Sequence, residues 1–288
     1  MSERAVGVQA SQTTIAGRAF ERYGASAWCP TGFETFTHSR LYHDNMLFTN
    51  GLFNAPVENP TRILDLGTGS GILAGELAKR FPAALVIGVD ILATQPAEFP
   101  STCEYRRGNI DERLEFENEY FCFIVMRNVG GYLRRPDRLY GEVLRCLKRG
   151  GYFEHSEIDI SPSSTETPHD RCTELRRGEY QCSIPVLQHY EMLTGFARFL
   201  GRRVVLAKDM SGCFEDAKFA EITSKTVVLS GFDVKGDVEN RLACLYSFFA
   251  EVHCKQLRFP NDKEMFDSCS SLKEKNFARR IIVYGRAP

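Results

Sequence analysis

"ILDLGTGSGILAGELAKRFPAALVIGVDI", residues 63–91, decides the fold. An apolar run carrying Asp65 gives way to Gly67, Gly69 and Gly71. An amphipathic helix follows until Pro82 stops it, and a second apolar run, "LVIGVD", ends at Asp90. Strand, tight turn, helix and strand make one βαβ unit. Glycine accepts positive φ and carries no Cβ, so a ligand can lie against the backbone where the helix begins. A bare β–α turn needs fewer glycines than this stretch supplies.

Outward from this unit the alternation continues. A short strand falls around Cys103 to Arg106, "FCFIVM" is a fourth strand, and a helix spans about Pro136 to Leu147. "RGG" reads as a tight turn into the strand "YFEHSEIDI". Apolar strands separated by helices imply a parallel sheet covered on both faces. The alternation breaks at "SPSSTETPHD", and residues 167–219 read as helical. "ITSKTVVL", a helical stretch near 238–255 and "ARRIIVYGR" close the chain, the last pair of strands being antiparallel. Residues 1–19 read as a loose tail and 20–288 as a single domain. Within it, 20–58 supply N-terminal lid helices, 61–160 the ligand-binding core, 161–220 a helical substrate insertion and 221–288 the strands and helices that complete the sheet.

Composition sets limits on function. The chain has 288 residues, 43% hydrophobic and 25% charged, which suits a globule with a sizeable core. A formal net charge of -1 provides no global field for nucleic acid or an anionic membrane, and the basic pairs such as Arg134-Arg135 are short and scattered. Ten cysteines occur without a CxxC pair, so neither a disulfide framework nor a zinc site is expected. The N-terminus is polar and no apolar run approaches the ~20 residues that span a bilayer. A cytoplasmic protein is expected, with the nucleus as the alternative.

The glycine spacing also narrows the ligand. A dinucleotide fingerprint would place its third glycine at Ile72, and the Gly-Lys-Ser/Thr end of a P-loop is missing. Asp65 beside the turn repels phosphate and favours an amine. Asp90, at the end of the second strand, can accept both hydroxyls of a ribose; a plain helix N-cap is its alternative role. An amine at one end and a ribose at the other describe S-adenosylmethionine.

"ILDLGTGSG", "VIGVDI", "MRNVGGYL", "LKRGGYFEHSEIDI" and "VYGRAP" together resemble class I S-adenosylmethionine-dependent methyltransferases, and more narrowly the fungal LaeA-like methyltransferases of secondary metabolism. The resemblance runs from about Arg62 to Asp159 and returns at the C-terminus. It is weak between Ser161 and Ala220. It implies an α/β, Rossmann-like fold: a mostly parallel seven-stranded sheet, helices on both faces and a helical lid or insertion. It also implies roles for single residues. Gly67, Thr68, Gly69 and Gly71 would lie along the methionine part of the cofactor, with Asp65 near its amine. Asp90 would hold the ribose, Ile91 would pack on the adenine, and Asn109 and Ile110 would meet the adenine edge. Arg127 and Asn128 would leave the fourth strand beside the cofactor. Arg40, in "RLYHDNMLF", would clamp the carboxylate, which a guanidinium suits. Two departures stand out: Cys122 replaces a usual Asp, and "TGFETFT" replaces an acidic polar run before the first helix.

Methyl transfer needs chiefly an in-line approach, supplied by positioning, with a base only where the acceptor carries a proton. His155 is the leading candidate base, with His43 and Glu157 behind it. Strand alternation puts Phe153, His155 and Glu157 on one face. The expected function is methylation of a small natural-product acceptor in fungal secondary metabolism. Two alternatives bind the cofactor without that transfer: a cyclase or pericyclase of a biosynthetic pathway, and a LaeA-type regulator with a protein partner. No metal, nucleic acid or membrane partner is expected, and a homodimer is left open.

Overall fold

The computed structural model describes residues 11–15, 18–23, 27–30, 51–91, 100–130, 133–159, 209–228 and 279–288. Its centre is a seven-stranded sheet, with three strands of a second, small sheet near the N-terminus. Strands β1 (Ser11–Ile15), β2 (Arg18–Tyr23) and β3 (Ala27–Pro30) pair antiparallel in sequence order. Residues 11–15 and 18–19, expected in a loose tail, and 20–23 and 27–30, expected in lid helices, are therefore strands, while residues 1–10 lie outside the described residues. Short, largely polar stretches such as "SQTTI" and "RAFERY" carry no apolar run and no regular alternation that would mark them as strands. Of the rest of the lid expected over 20–58, residues 31–50 lie outside the described residues and 51–58 hold no helix; most of the 161–220 insertion and the 238–255 helix also lie outside the described residues.

The large sheet comprises β4 (Arg62–Leu66), β5 (Leu85–Asp90), β6 (Cys103–Arg107), β7 (Phe121–Arg127), β8 (Leu147–Asp159), β9 (Ala220–Val228) and β10 (Arg279–Arg286). Its spatial order is β6-β5-β4-β7-β8-β10-β9. The first five of these are parallel, whereas β10 runs antiparallel to both β8 and β9. The order reverses at β4, and the edge beyond the C-terminal ends of β4, β5 and β7 is where α/β sheets place ligands.

Helix α1 (Ile72–Arg80) covers one face. Its Leu73, Ala74, Leu77 and Ala78 recur at helical spacing and pack on Ile63, Val86, Phe123 and Val125. Phe53 closes that layer, with ring centroids 5.8 Å from Phe81 and 5.2 Å from Phe123. Helices α2 (Pro136–Cys146) and α3 (Met210–Asp216) cover the other face. There Leu139, Tyr140, Val143, Phe153, Met210, Phe214 and Val283 form the larger core. Pro136 opens α2, where its missing N–H costs nothing.

The "RGG" stretch is not a turn before β8 but part of it. Opposite β7 the register slips between Phe121, which faces Leu147, and Phe123, which faces Tyr152. Gly150 takes φ 74, and its N–H and the Gly151 carbonyl pair with Ala287. The chain end thus zips the strand through a bulge that glycine permits. Among the described residues no helix is long and apolar enough to cross a membrane, and no group of three or more metal-ligating side chains gathers.

Candidate active site at the edge of the sheet

The glycine turn folds back over the end of β5. The N–H groups of Gly67 and Thr68 both donate to the Val89 carbonyl, at 2.8 and 3.1 Å. Gly67 has φ 70, and a Cβ there would lie 2.6 Å from Cγ2 of Val129. Gly69 has φ 55 and faces open space. Its N–H donates to Oδ2 of Asp90 at 2.8 Å. Gly71, also left-handed at φ 76, is the N-cap of α1. The turn is therefore anchored from one side by strand β5 and seated against Val129 on another, while Gly69 leaves one side bare.

Two carboxylates flank it in different states. Asp65 is 2% exposed, and its Oδ2 accepts the Thr68 hydroxyl at 2.5 Å. Burial pushes its pKa up to about 6, against the downward pulls of the Thr68 hydrogen bond and the Arg127 charge. Asp90 lies at the half-exposed strand end and holds the turn through Gly69. Gly88 makes the packing fit: a Cβ there would stand 2.9 Å from the Thr68 side chain. A glycine interrupting an apolar strand is the sign of such an approach.

The remaining candidates divide. Ile91 offers its carbonyl to the Arg107 guanidinium at 3.3 Å. Asn109 accepts the Asp111 N–H at 3.1 Å and donates to Glu112 at 3.1 Å, which shapes the loop after β6. Ile110 packs at the margin of the larger core. Arg127 ends β7, and its charge acts on both Asp65 and Glu154. Asn128 follows at φ 52, its N–H bonded to the Ser156 carbonyl at 3.0 Å. The structure thus brings Asp65, Gly67, Thr68, Gly69, Gly71, Asp90, Ile91, Arg127 and Asn128 to one edge of the sheet. Arg40 and His43 lie outside the described residues.

His155 and Glu157 do share a face, and both are buried. Nδ1 of His155 meets the Tyr140 hydroxyl at 2.6 Å, and Nε2 meets Oε1 of Glu157 at 2.8 Å. The same Oε1 accepts the N–H groups of Val129 and Gly130, each at 2.7 Å. Every polar atom of the imidazole is engaged inside the protein. Tyr140, which the sequence reading passed over, sits at helical spacing among apolar core positions, so only its hydroxyl marked it out. Burial holds that hydroxyl's pKa well above the usual phenol range.

Glu154, on the opposite face, was also passed over. Its Oε2 accepts the N–H groups of Asn54 and Ala55 at 2.6 and 2.7 Å, which ties the segment before β4 to the middle of the sheet. Burial raises its pKa, against those hydrogen bonds and the Arg127 charge.

Comparison with known proteins agrees with this architecture. The (4+2)-cyclase SpnF superposes with a TM-score of 0.51 at 18% identity, covering 86% of this chain and 81% of that one. Phosphoethanolamine N-methyltransferase 2 of Haemonchus contortus, solved with S-adenosyl-L-methionine, gives 0.51 at 14% identity over 88% of this chain and 57% of its own. These likenesses concern the fold. In sequence, the secondary metabolism regulator laeA of Aspergillus flavus is 32% identical over 121 residues, 42% of this chain and 33% of that relative. The protein-methionine methyltransferase laeA of Emericella nidulans is 33% identical over 135 residues, 46% of this chain and 36% of that relative. The matched part thus spans only about a third of those relatives' length. A methyltransferase-domain family model matches residues 38–197, more than half of the chain. With the strand order, the glycine turn and that match together, this chain belongs to the methyltransferase-domain family.

Proposed function

We propose that this chain binds S-adenosylmethionine at the edge formed by Gly67–Gly71, Asp90 and Asn128 and transfers its methyl group to an acceptor of fungal secondary metabolism. The observation that carries the proposal is the Gly69–Asp90 contact: the acid that would hold the ribose also fixes the turn that would carry the methionine part. Buried Asp65 stands behind the turn, where an ammonium of the cofactor would favour its ionised form. The bare side of Gly69 leaves room for the ligand backbone. Arg127 and Asn128 would border the same ligand from β7, and Ile91, Asn109 and Ile110 the adenine.

The geometry supports transfer by positioning. Bound cofactor supplies an electrophilic methyl on a sulfonium; this chain's residues orient it and exclude water. His155 and Glu157 hold each other and the loop after β7, so we read them as structural supports of the site, and the acceptor is one whose nucleophile needs no base from β8. A small natural product is the acceptor we propose. Likeness to the curated regulators covers about half of the chain or less, so it does not carry their acceptor over to this chain.

A second reading is favoured by the identity with the protein-methionine methyltransferase laeA. A thioether carries no proton and needs no base, which suits a site where the candidate bases among the described residues, His155 and Glu157, are already engaged, so the acceptor would be a methionine on a protein partner or on this chain. One experiment separates the readings. Purified protein is incubated with methyl-labelled cofactor and extract from a fungus producing secondary metabolites. Label in the small-molecule fraction supports the first reading, and label in a protein band supports the second. Binding without release of S-adenosylhomocysteine rejects both in favour of a protein that uses the cofactor without transfer. Calorimetric affinity that is unchanged in Asp90→Ala would remove the ribose assignment.

A further inference from the structure

Three buried groups form a chain from helix α2 to the loop after β7, and a count of donors and acceptors fixes its protonation pattern. Two backbone N–H groups, of Val129 and Gly130, point at Oε1 of Glu157, so that oxygen accepts. Nε2 of His155, 2.8 Å from the same oxygen, must therefore carry its proton and donate. Nδ1 then accepts from the Tyr140 hydroxyl at 2.6 Å. In this arrangement every donor has an acceptor. A doubly protonated ring would turn the Tyr140 proton away from its partner in a site where burial makes an unmet donor costly.

The end of this chain is a backbone segment that the cofactor site depends on. Val129 is 7% exposed, and its Cγ2 packs so close to Gly67 that a Cβ there would stand 2.6 Å from it. Asn128, one residue earlier, is held at φ 52 with its N–H on the Ser156 carbonyl. Strand β8 therefore grips three successive N–H groups of this loop, one by its backbone and two by Glu157. The glycine turn rests on the loop's central side chain. Glu157 is in turn oriented by His155, and His155 by Tyr140, whose ring is packed edge-on at 5.4 Å from Phe153 and 5.3 Å from Phe214.

We infer that Tyr140, His155 and Glu157 are positioning residues that latch the 128–130 loop beneath the glycine turn and thereby set cofactor affinity. The inference rests on the cofactor reading above. It assigns the histidine a role as a fixed hydrogen-bond bridge, and Glu157 is the group that acts directly on the loop.

The test uses hydrogen exchange of the Val129 and Gly130 amides together with calorimetric titration of S-adenosylmethionine, on the full chain. Glu157→Ala is expected to speed exchange at both amides and to raise Kd about tenfold, the effect of losing roughly one hydrogen bond's worth of loop order. Glu157→Gln, which keeps an oxygen in place, restores both to within about threefold of the parent. Val143→Ala, a core truncation on α2 away from the loop, lowers Tm but leaves exchange at 129–130 and Kd unchanged. If Glu157→Ala fails to fold, Tyr140→Phe keeps the ring packing and gives the same direction of change with smaller size. Unchanged exchange in Glu157→Ala, or in Tyr140→Phe where that variant stands in, overturns the latch. So does a Kd that follows Tm equally in Val143→Ala. Failure of the parent protein to bind the cofactor overturns the reading of the site instead, and the exchange result still decides whether the loop is latched.

Discussion

Substituting alanine at two neighbouring glycines should separate the turn's own packing from its ligand. Gly67 and Gly69 share left-handed backbone, at φ 70 and 55, so each Gly→Ala change costs about 1–2 kcal/mol for the conformation alone. At Gly67 the new methyl also meets Cγ2 of Val129 at 2.6 Å. Valine is stiff about χ1 and this one is buried, so the loop itself must yield, at about 1–3 kcal/mol more. At Gly69 nothing lies within 4 Å, and no packing cost is added. For a chain of this size about 1 kcal/mol moves Tm by about 2–4 °C. Gly67→Ala should therefore melt several degrees below Gly69→Ala in the absence of ligand. Titration with S-adenosylmethionine should show a complementary pattern. Gly69→Ala fills the bare side of the turn and should raise Kd at least about tenfold while remaining well folded, a loss of about 1.4 kcal/mol. Thermal melts and calorimetry on the two variants suffice. Equal melting losses would refute the packing argument, and parent-like affinity in Gly69→Ala would refute the placement of the ligand.

Other outcomes follow from the buried carboxylates. Asp65 has its pKa raised from 3.8 to about 6, so its ionisation opposes folding: the cost is absent below 3.8 and grows as pH rises through 6. The gap corresponds to about 3 kcal/mol, and Asp65→Asn should gain on the parent by up to that amount between pH 4 and pH 7 in urea melts. A constant difference across that range would count against it. An ammonium ligand beside Asp65 should bind more tightly above pH 6 than below it, which titrations at several pH values would show. Glu154→Ala leaves the N–H groups of Asn54 and Ala55 unmet and should cost about 2–5 kcal/mol, whereas Glu154→Gln keeps an acceptor and should cost under about 1 kcal/mol; denaturant midpoints distinguish them.

How much of this was legible beforehand differs from element to element. Residues 63–91 carry their structure locally: short continuous apolar runs, glycines where the backbone must turn left-handed, and a helical stripe on Leu73, Ala74, Leu77 and Ala78 each state a conformation within a few residues. The same holds for β7, β10 and the helix opened by Pro136. The first three strands were missed because polar side chains in a short antiparallel sheet give no apolar run. The bulge at Gly150 was missed because it is made by the chain's last residues, far away in sequence.

The sequence by itself determined the layered sheet, the glycine turn and the two acids beside it, because each is written in contiguous residues whose backbone preferences are local. It also placed His155 and Glu157 on one face, since alternation along a strand is fixed. Only the tertiary structure decided what those two side chains do. Their partners, Tyr140 from α2 and the N–H groups of Val129 and Gly130 from the loop after β7, lie 15 to 28 positions away in the chain. A histidine's role depends on what occupies its two nitrogens, and packing, which is non-local, sets that occupancy.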